Sequence, residues 1–172
     1  MRNNKHEQNE VVIAFENNWD IVALYHKQKS MKLKISTPTQ VIYQWDIEKI
    51  SIPTENGNLK VMIGHAPMVT TIKPGLIKLW PMKNNIQVGD EILVSTSNGM
   101  VFIDGKIVRI VSADATLAPE ESESKLLESK RILEEKIKRL KNEWSIEEIE
   151  KALIKLEKTN ADIELKKMLQ TA

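Results

Sequence analysis

Residues 31–63 read MKLKISTPTQVIYQWDIEKISIPTENGNLKVMI, and apolar and polar side chains alternate through much of this stretch. Met31, Leu33 and Ile35 alternate with Lys32 and Lys34, a period of two that places the apolar side chains on one face of a strand. The same period predicts further apolar faces in three later sets, which are Val41, Tyr43 and Trp45, then Ile50 and Ile52 more weakly, then Leu59, Val61 and Ile63. A series of short strands is therefore predicted.

Turn signals separate these strands. Asn56-Gly57 predicts a hairpin with a type I′ turn, because both central positions of that turn need positive φ. Lys73-Pro74-Gly75 and Asp104-Gly105 mark later turns. Many short strands at close spacing with local connections predict a mainly antiparallel β-sandwich or barrel over residues 31–115.

The pattern becomes helical after Asp114. Ala118-Pro119-Glu120-Glu121 is a candidate helix start, since proline and acids are favoured in the first turn. Ser145 and Glu148 predict a capping box at the start of a second helix. The two predicted apolar stripes are Leu126, Leu133, Ile137 and Leu140, and then Ile149, Leu153, Leu156 and Ile163. The fold class is therefore α+β, with an antiparallel two-helix hairpin over residues 116–172. Its apolar stripes must be covered by the sandwich, by each other or by a partner.

Residues 1–30 differ in sequence pattern from the rest of the chain. Val11, Phe15, Trp19 and Val22 recur at helical spacing, which is typical of a short amphipathic helix. Two interpretations stay open: an N-terminal extension, disordered or helical, or translation from a start codon upstream of the true one at Met31.

Composition excludes several classes of function. The 172 residues carry 25 Lys+Arg and 24 Asp+Glu, so no global charge favours nucleic acid. The chain has no cysteine and three scattered histidines, and we expect neither a metal nor a cofactor. No stretch reaches the roughly 18 apolar residues of a membrane span, so no direct membrane insertion is expected.

Catalytic motifs are also missing from the sequence. Phosphate-binding loops, nucleophile elbows and zinc-binding histidine pairs do not occur. The carboxylates on the predicted helices lie beside lysines, which is typical of a solvated helix face. The sequence therefore predicts no catalytic residues, and a hydrolytic enzyme is a poor interpretation.

The residues after the predicted hairpin carry a resemblance to a known family. Gly-His-Ala-Pro-Met (residues 64–68), followed by Thr-Thr-Ile-Lys-Pro-Gly-Leu-Ile (residues 70–77), resembles the most recognisable stretch of ATP synthase epsilon subunits. Residues 32–38, 112–115 and 149–161 are similar to other parts of that family in the same order. The resemblance covers roughly residues 31–170.

The resemblance implies a non-catalytic subunit of a rotary ATP synthase. Its sandwich would contact the gamma subunit and the c-ring and help to couple ion translocation to ATP synthesis. Its hairpin would rest on the sandwich or extend to the catalytic alpha/beta head and inhibit ATP hydrolysis. The implied location is peripheral, on the cytoplasmic face of the bacterial plasma membrane. The alternative is a free-standing adaptor that binds an unrelated partner.

The resemblance also assigns candidate contact residues. The surface that faces the c-ring would include the loop matched by Asn58 and His65. The whole partner interface would include Asn58, Gly64, His65, Ala66, Pro67 and Met68. The inhibitory contacts with acidic residues of the catalytic head would include Lys130, Arg131, Lys138 and Lys155.

Several positions depart from the family pattern. The family often has an acid where this chain has Asn58, and glycine where it has Lys60, so the local charge differs. Ser122, Lys125 and Leu126 align with a nucleotide-binding motif of some members and do not retain it. We therefore expect no bound nucleotide.

Overall fold

The structure is a computed structural model, and it describes residues 30–83 and 86–171. The predicted helix around Val11 and Trp19 lies outside the described residues. The strands are β1 (Met31–Ser36), β2 (Val41–Thr54), β3 (Gly57–Met62), β4 (Met68–Ile72), β5 (Gly75–Lys83), β6 (Ile86–Gln87), β7 (Ile92–Thr96), β8 (Gly99–Ile103), β9 (Ile107–Ser112) and β10 (Ala115–Thr116). Two helices follow, α1 (Glu123–Glu143) and α2 (Ile146–Thr171).

The strands form one open sheet that folds over a single core. Its order is β10-β7-β5-β2-β1-β9-β8-β4, with β3 added to β2, while β6 pairs only with β5. Among the described strands only β1 and β9 pair in parallel, so the predicted antiparallel pairing is confirmed. The two ends of the path do not pair with each other. The architecture is therefore a sandwich with open edges and not a closed barrel.

The predicted alternation holds best at β1. Met31, Leu33 and Ile35 are at most 2% exposed and join Ile52 and Val61 in the core. Burying such side chains is worth about 1.5–3 kcal/mol each before chain entropy is subtracted. The first strand and the strands of the following hairpin therefore contribute to one shared core.

The prediction is wrong at three apolar residues. Val41 is 50% exposed, because the register of β2 shifts opposite Ser36 and takes this residue off the core face. Ile63 is exposed because β3 ends before it, at Met62. Trp45 is 70% exposed although it pairs with Leu33, and its indole N–H thereby stays in reach of solvent.

The hairpin between β2 and β3 is confirmed, but its turn type is not. Thr54 pairs with Gly57, so Glu55 and Asn56 form the loop. Gly57 has φ of +102°, whereas Asn56 does not have positive φ. This arrangement needs one glycine after the turn, in place of the two left-handed residues of type I′.

Helix α1 begins later than predicted. Thr116 Oγ1 accepts the Ala118 N–H at 3.1 Å, which holds the preceding segment in a turn. The Ser122 side chain then caps the helix by accepting the Lys125 N–H. The predicted apolar face of Leu126, Leu133, Ile137 and Leu140 is buried, as expected.

The hairpin turns at Trp144, which has φ of +58° and ends α1 in the left-handed conformation. Helix α2 starts directly after Ser145, as predicted. Leu153 was placed wrongly, since it is 42% exposed. Helix α2 buries two sides, one on α1 through Ile149 and Leu156 and the other on β5 and β7. Its buried residues are Ala152, Lys158, Thr159, Ala161, Ile163 and Leu165.

In the described ranges, neither α1 nor α2 combines the length and the apolar character needed to cross a membrane.

Candidate functional site

The 64–68 loop is held by a neighbouring turn. The Gly64 N–H donates to the Gly105 carbonyl at 3.0 Å, and the His65 N–H donates to the Met62 carbonyl at 3.1 Å. Gly64 has φ of +80°, a conformation that glycine adopts without strain. The first of these contacts fixes the loop against the β8–β9 turn, and the second closes a turn at the end of β3.

The side chain of His65 is oriented locally. It is half-buried, and its Nδ1 lies 2.8 Å from the Ala66 carbonyl oxygen. Because a carbonyl only accepts, Nδ1 carries the proton in this arrangement and Nε2 is the acceptor in the neutral ring. Ala66 and Pro67 are exposed, and Met68 is half-buried as it enters β4. The predicted loop residues therefore form one continuous surface that a partner could reach.

Asp104 organises the turn that supports this loop. Its Oδ1 accepts the Ile107 N–H at 2.8 Å and the Lys106 N–H at 3.2 Å. These backbone hydrogen bonds, with a weaker contribution from Arg109, hold the pKa of the Asp104 carboxyl below its usual range. The ionised carboxylate is thus part of the turn.

Asp104→Ala should lower the melting temperature by a few degrees at pH 7. Because the folded-state pKa is lower than the unfolded one, the stabilisation is complete above the unfolded value of about 3.9. It is lost as the pH falls through the folded-state pKa. Thermal unfolding at pH 7 and pH 2.5 should show the difference between wild type and variant shrinking at the acid pH. Asp90→Ala, at another exposed turn residue, is the control, and a difference that stays constant with pH would contradict the role of the charge.

Asn58 is not brought together with the 64–68 loop. It lies at the start of β3, opposite Pro53, whereas the loop follows the far end of the same strand. At about 3.3 Å per residue the two places are roughly 20 Å apart. The predicted interface residues therefore belong to two separate surfaces.

An exposed apolar surface adjoins the loop, and sequence reasoning missed it. Val69, Met100, Phe102 and Val111 are between 38% and 56% exposed. Val69 pairs with Phe102, and Met100 pairs with Val111, so all four side chains stand on the same outer face of β4, β8 and β9. We call these four residues the outer patch. Contiguous exposed apolar surface of this kind marks interaction sites.

The predicted inhibitory cations do not share one surface in this docked hairpin. Arg131 and Lys138 are exposed and seven residues apart, so they lie on one outward face of α1. Arg131 pairs with Glu128 at 3.0 Å. Lys130 is half-buried at the flank, and Lys155 lies on α2 beside a cavity that faces the sandwich.

A buried lysine joins the hairpin to the sandwich. Lys158 on α2 has a side chain only 9% exposed, and its Nζ lies 2.7 Å from Asp162 and 3.2 Å from Asp114. Lys166 donates to the carbonyls of Pro119 and Glu121 in the connecting segment. The spacing of Lys158 and Asp162 was a usable helix signal, but the contact with Asp114 depends on the tertiary fold.

The positions aligned with the nucleotide-binding motif have structural roles here. Ser122 caps α1 through its contact with Lys125, and Leu126 is 4% exposed. A side chain that caps a helix satisfies backbone donors of that helix.

Comparison with known proteins identifies the family. A family model described as the beta-sandwich domain of the ATP synthase delta/epsilon chain matches residues 30–118. The ATP synthase epsilon chain of Latilactobacillus sakei subsp. sakei is 26% identical, over 84% of this chain and 97% of the relative. The ATP synthase epsilon chain of Bacillus pumilus is 30% identical, over 73% of this chain and 90% of the relative. The chain therefore belongs to the ATP synthase delta/epsilon family.

Within that family the chain is an accessory subunit of the epsilon type and is not itself catalytic. A solved structure of Euglena gracilis mitochondrial ATP synthase, comprising OSCP, F1 and c-ring, contains a chain with the same fold. The TM-score is 0.62 at 20% identity, with 80% of this chain and 81% of that chain covered. This likeness shows the fold alone.

Proposed function

We propose that the chain works in the central stalk of a rotary ATP synthase, where its sandwich binds the gamma subunit and the c-ring. Binding at both places lets it take part in coupling ion translocation to ATP synthesis. Family membership and the similarity to bacterial epsilon chains support this role. The complex would hold the chain at the cytoplasmic face of the bacterial plasma membrane.

The outer patch is the observation that carries the proposal. The sandwich already has a complete core of buried residues, so the four exposed apolar side chains of the patch are not needed to stabilise the domain. Covering them against a partner removes apolar surface from water, at about 25 cal/mol per Å². Met68, at the edge of the 64–68 loop, begins the strand that carries Val69. We assign the outer patch to gamma, and the 64–68 loop beside it to the c-ring, as the family resemblance implies for His65.

The start of β3 is the second contact surface, which we assign to the c-ring. Asn58 and Lys60 are both exposed there. An amide and an ammonium group offer hydrogen-bond donors to polar loops of a partner. Family members with an acid at the position of Asn58 would make a negatively charged contact here, whereas this chain would make a neutral or positively charged one.

The second part of the proposal is that the hairpin regulates ATP hydrolysis. Docked on the sandwich, α2 is covered by α1 and by β5 and β7. A partner that covers the same faces would compete with docking, and its differential affinity would shift the population toward the extended form. Arg131 and Lys138, together on the outward face of α1, are the cations best placed to meet acidic residues of the catalytic head.

Phe102→Glu should weaken binding to gamma at least about tenfold, which corresponds to about 1.4 kcal/mol. The substitution places a carboxylate in the centre of the outer patch, where it must be desolvated on binding. Affinity is measured by titrating the purified 172-residue chain against gamma from the same organism.

Ile132→Glu is the matched control, because it changes another half-exposed apolar residue that lies on α1, away from the patch. It should leave the affinity for gamma unchanged. If the wild-type chain does not associate with gamma at micromolar concentrations, the proposed function is wrong. Equal effects of the two variants would contradict the assignment of the patch alone.

A further inference from the structure

A groove of about 480 Å³ opens on the sandwich beside the first described residue. Strands β1, β2 and β9 and the end of β5 form its walls. The side chains that decide its chemistry are Lys32, Lys34, Trp45, Met82, Lys83 and Arg109. We call it the basic groove.

The basic groove combines an exposed indole with uncompensated positive charge. Of the described residues that line it, four are cations and one, Asp46, is a carboxylate. Among the residues that the structure describes, no carboxylate lies within salt-bridge distance of Lys32, Lys34 or Lys83. Arg109 has only Asp104, at 3.7 Å. A ligand that fits must therefore carry negative charge together with an apolar group that packs on Trp45.

A segment of the same chain has this chemistry. Residues 7–25 contain four acids, Glu7, Glu10, Glu16 and Asp20, and no lysine or arginine. Apolar and aromatic residues dominate the second part of the segment, from residue 11 to residue 25. Its charge and its apolar content are complementary to the basic groove.

The connection to the fold leads this segment to the groove. Ser30 lines a smaller hollow that shares Lys32, Asp46 and Ile107 with the basic groove. The five residues 26–30, which follow Tyr25, span at most about 17 Å when extended. Tethering over such a distance gives an effective concentration in the millimolar range, so even weak contacts would be populated.

We propose that residues 7–25 bind in the basic groove of their own chain. The acids of the segment face Lys32, Lys34, Lys83 and Arg109, and an apolar side chain of the segment covers Trp45. This inference goes beyond the proposed function, because it concerns a contact within the chain and does not depend on gamma. The groove adjoins the outer patch, because Arg109 pairs with Phe102 across β8 and β9.

The sequence has no cysteine, so paired cysteines can test the contact in the full 172-residue chain. Asn18→Cys with Gln44→Cys places one thiol in the segment and one at the exposed wall of the groove. A short bismaleimide should join this pair within one chain, as detected by mass spectrometry of the monomer. Asn18→Cys with Asn56→Cys, at the distant β2–β3 loop, is the matched control and should react about tenfold more slowly.

Charge changes provide the second measurement. Lys34→Glu with Lys83→Glu should slow the groove cross-link about tenfold, whereas Lys138→Glu on α1 should not. Circular dichroism verifies that each variant is folded, and Trp45→Ala replaces the double charge variant if that variant is not.

Three outcomes would overturn the proposal. These are equal cross-linking rates for the groove and control pairs, cross-links that form only between two copies of the chain, and a native protein that begins at Met31 by mass spectrometry. None of these outcomes measures association with gamma, so the proposed function is judged separately, by the titration against gamma.

Discussion

Gly99→Ala should lower the free energy of unfolding by about 3 kcal/mol, which is near the upper end for one added methyl group. Gly99 begins β8 and pairs with Ser112 on β9 and with Ile72 on β4. A Cβ at this position would lie 2.2 Å from the Val111 carbonyl oxygen and 2.8 Å from the Ser112 Cα. Both are backbone atoms that no side-chain rotation can move, so the strands must separate. Urea denaturation at 25 °C, followed by circular dichroism, measures the effect.

Gly89→Ala is the matched control, because it adds the same methyl group where nothing lies within 4 Å. Gly89 has φ of +76°, so the expected cost is the backbone term alone, about 1 kcal/mol. Because only Gly89 of the two has positive φ, the loss at Gly99 beyond that of the control is a lower bound on the cost of the close approach of β8 to β9. Equal losses of stability would show that the strands adjust and that the contact is not limiting.

The elements of this fold could be predicted because their signals are local. The alternation of β1 and the glycine after the β2 hairpin loop act within a few residues. The apolar stripe of α1 is also local, and all four of its predicted residues are buried. The start of α1 was wrong because Ser122 competes with the upstream Pro119 as the place where the helix begins.

Local sequence patterns do not predict which strands pair with each other in the sheet. The parallel pairing of β1 with β9 joins strands from the two ends of the sandwich, and no periodicity encodes which strand lies beside which. Leu153 shows the same limit on α2. That helix packs against both α1 and the sheet, and of the inferred stripe Ile149 and Leu156 pack against α1 whereas Leu153 is exposed.

The candidate site was predicted in part for the same reason. The composition of the 64–68 loop made its exposure at the surface predictable. Its distance from Asn58 depends on the direction of β3, which the composition does not give. The outer patch is made of apolar residues in strands whose other face is also apolar, so the sequence alone does not tell which face is covered. Lys158 is a further case, since a lysine on a charged helix is ordinarily solvent-exposed.

Lys158→Ala should destabilise the docked hairpin by about 2–3 kcal/mol. The substitution leaves Asp162, whose side chain is 15% exposed, without its cation. Removing one partner of a buried pair costs about 3–5 kcal/mol, and the exposure of Asp114, at 66%, reduces that figure here. Hydrogen exchange of the α2 amides should become roughly 30- to 150-fold faster, at 1.4 kcal/mol per tenfold, while exchange in β9 stays unchanged.

Two controls separate the buried pair from a general loss of charge. Lys151→Ala removes a lysine whose pair with Glu147 is largely exposed, so it should change α2 exchange by less than about threefold. Lys158→Met combined with Asp162→Leu replaces the helix pair by apolar groups and should restore most of the stability. If the double variant is as unstable as Lys158→Ala, then the ionic contacts of Lys158, including the one with Asp114 on the sandwich, stabilise the docked hairpin, and the burial of an unpaired Asp162 does not explain the loss.

If the proposed function is right, Lys158→Ala should also change the rate of ATP hydrolysis by the assembled complex. A hairpin that docks less tightly spends more time free to reach the catalytic head, so Lys158→Ala should lower ATP hydrolysis by the reconstituted complex. Truncation after Ala115 removes the hairpin altogether and should raise hydrolysis above the wild-type rate. Opposite signs for these two variants, measured at equal occupancy of the subunit, would tie inhibition to the extended hairpin. Equal signs would contradict inhibition by release from the sandwich, because weakening the dock and deleting the hairpin then act through some other property of the subunit.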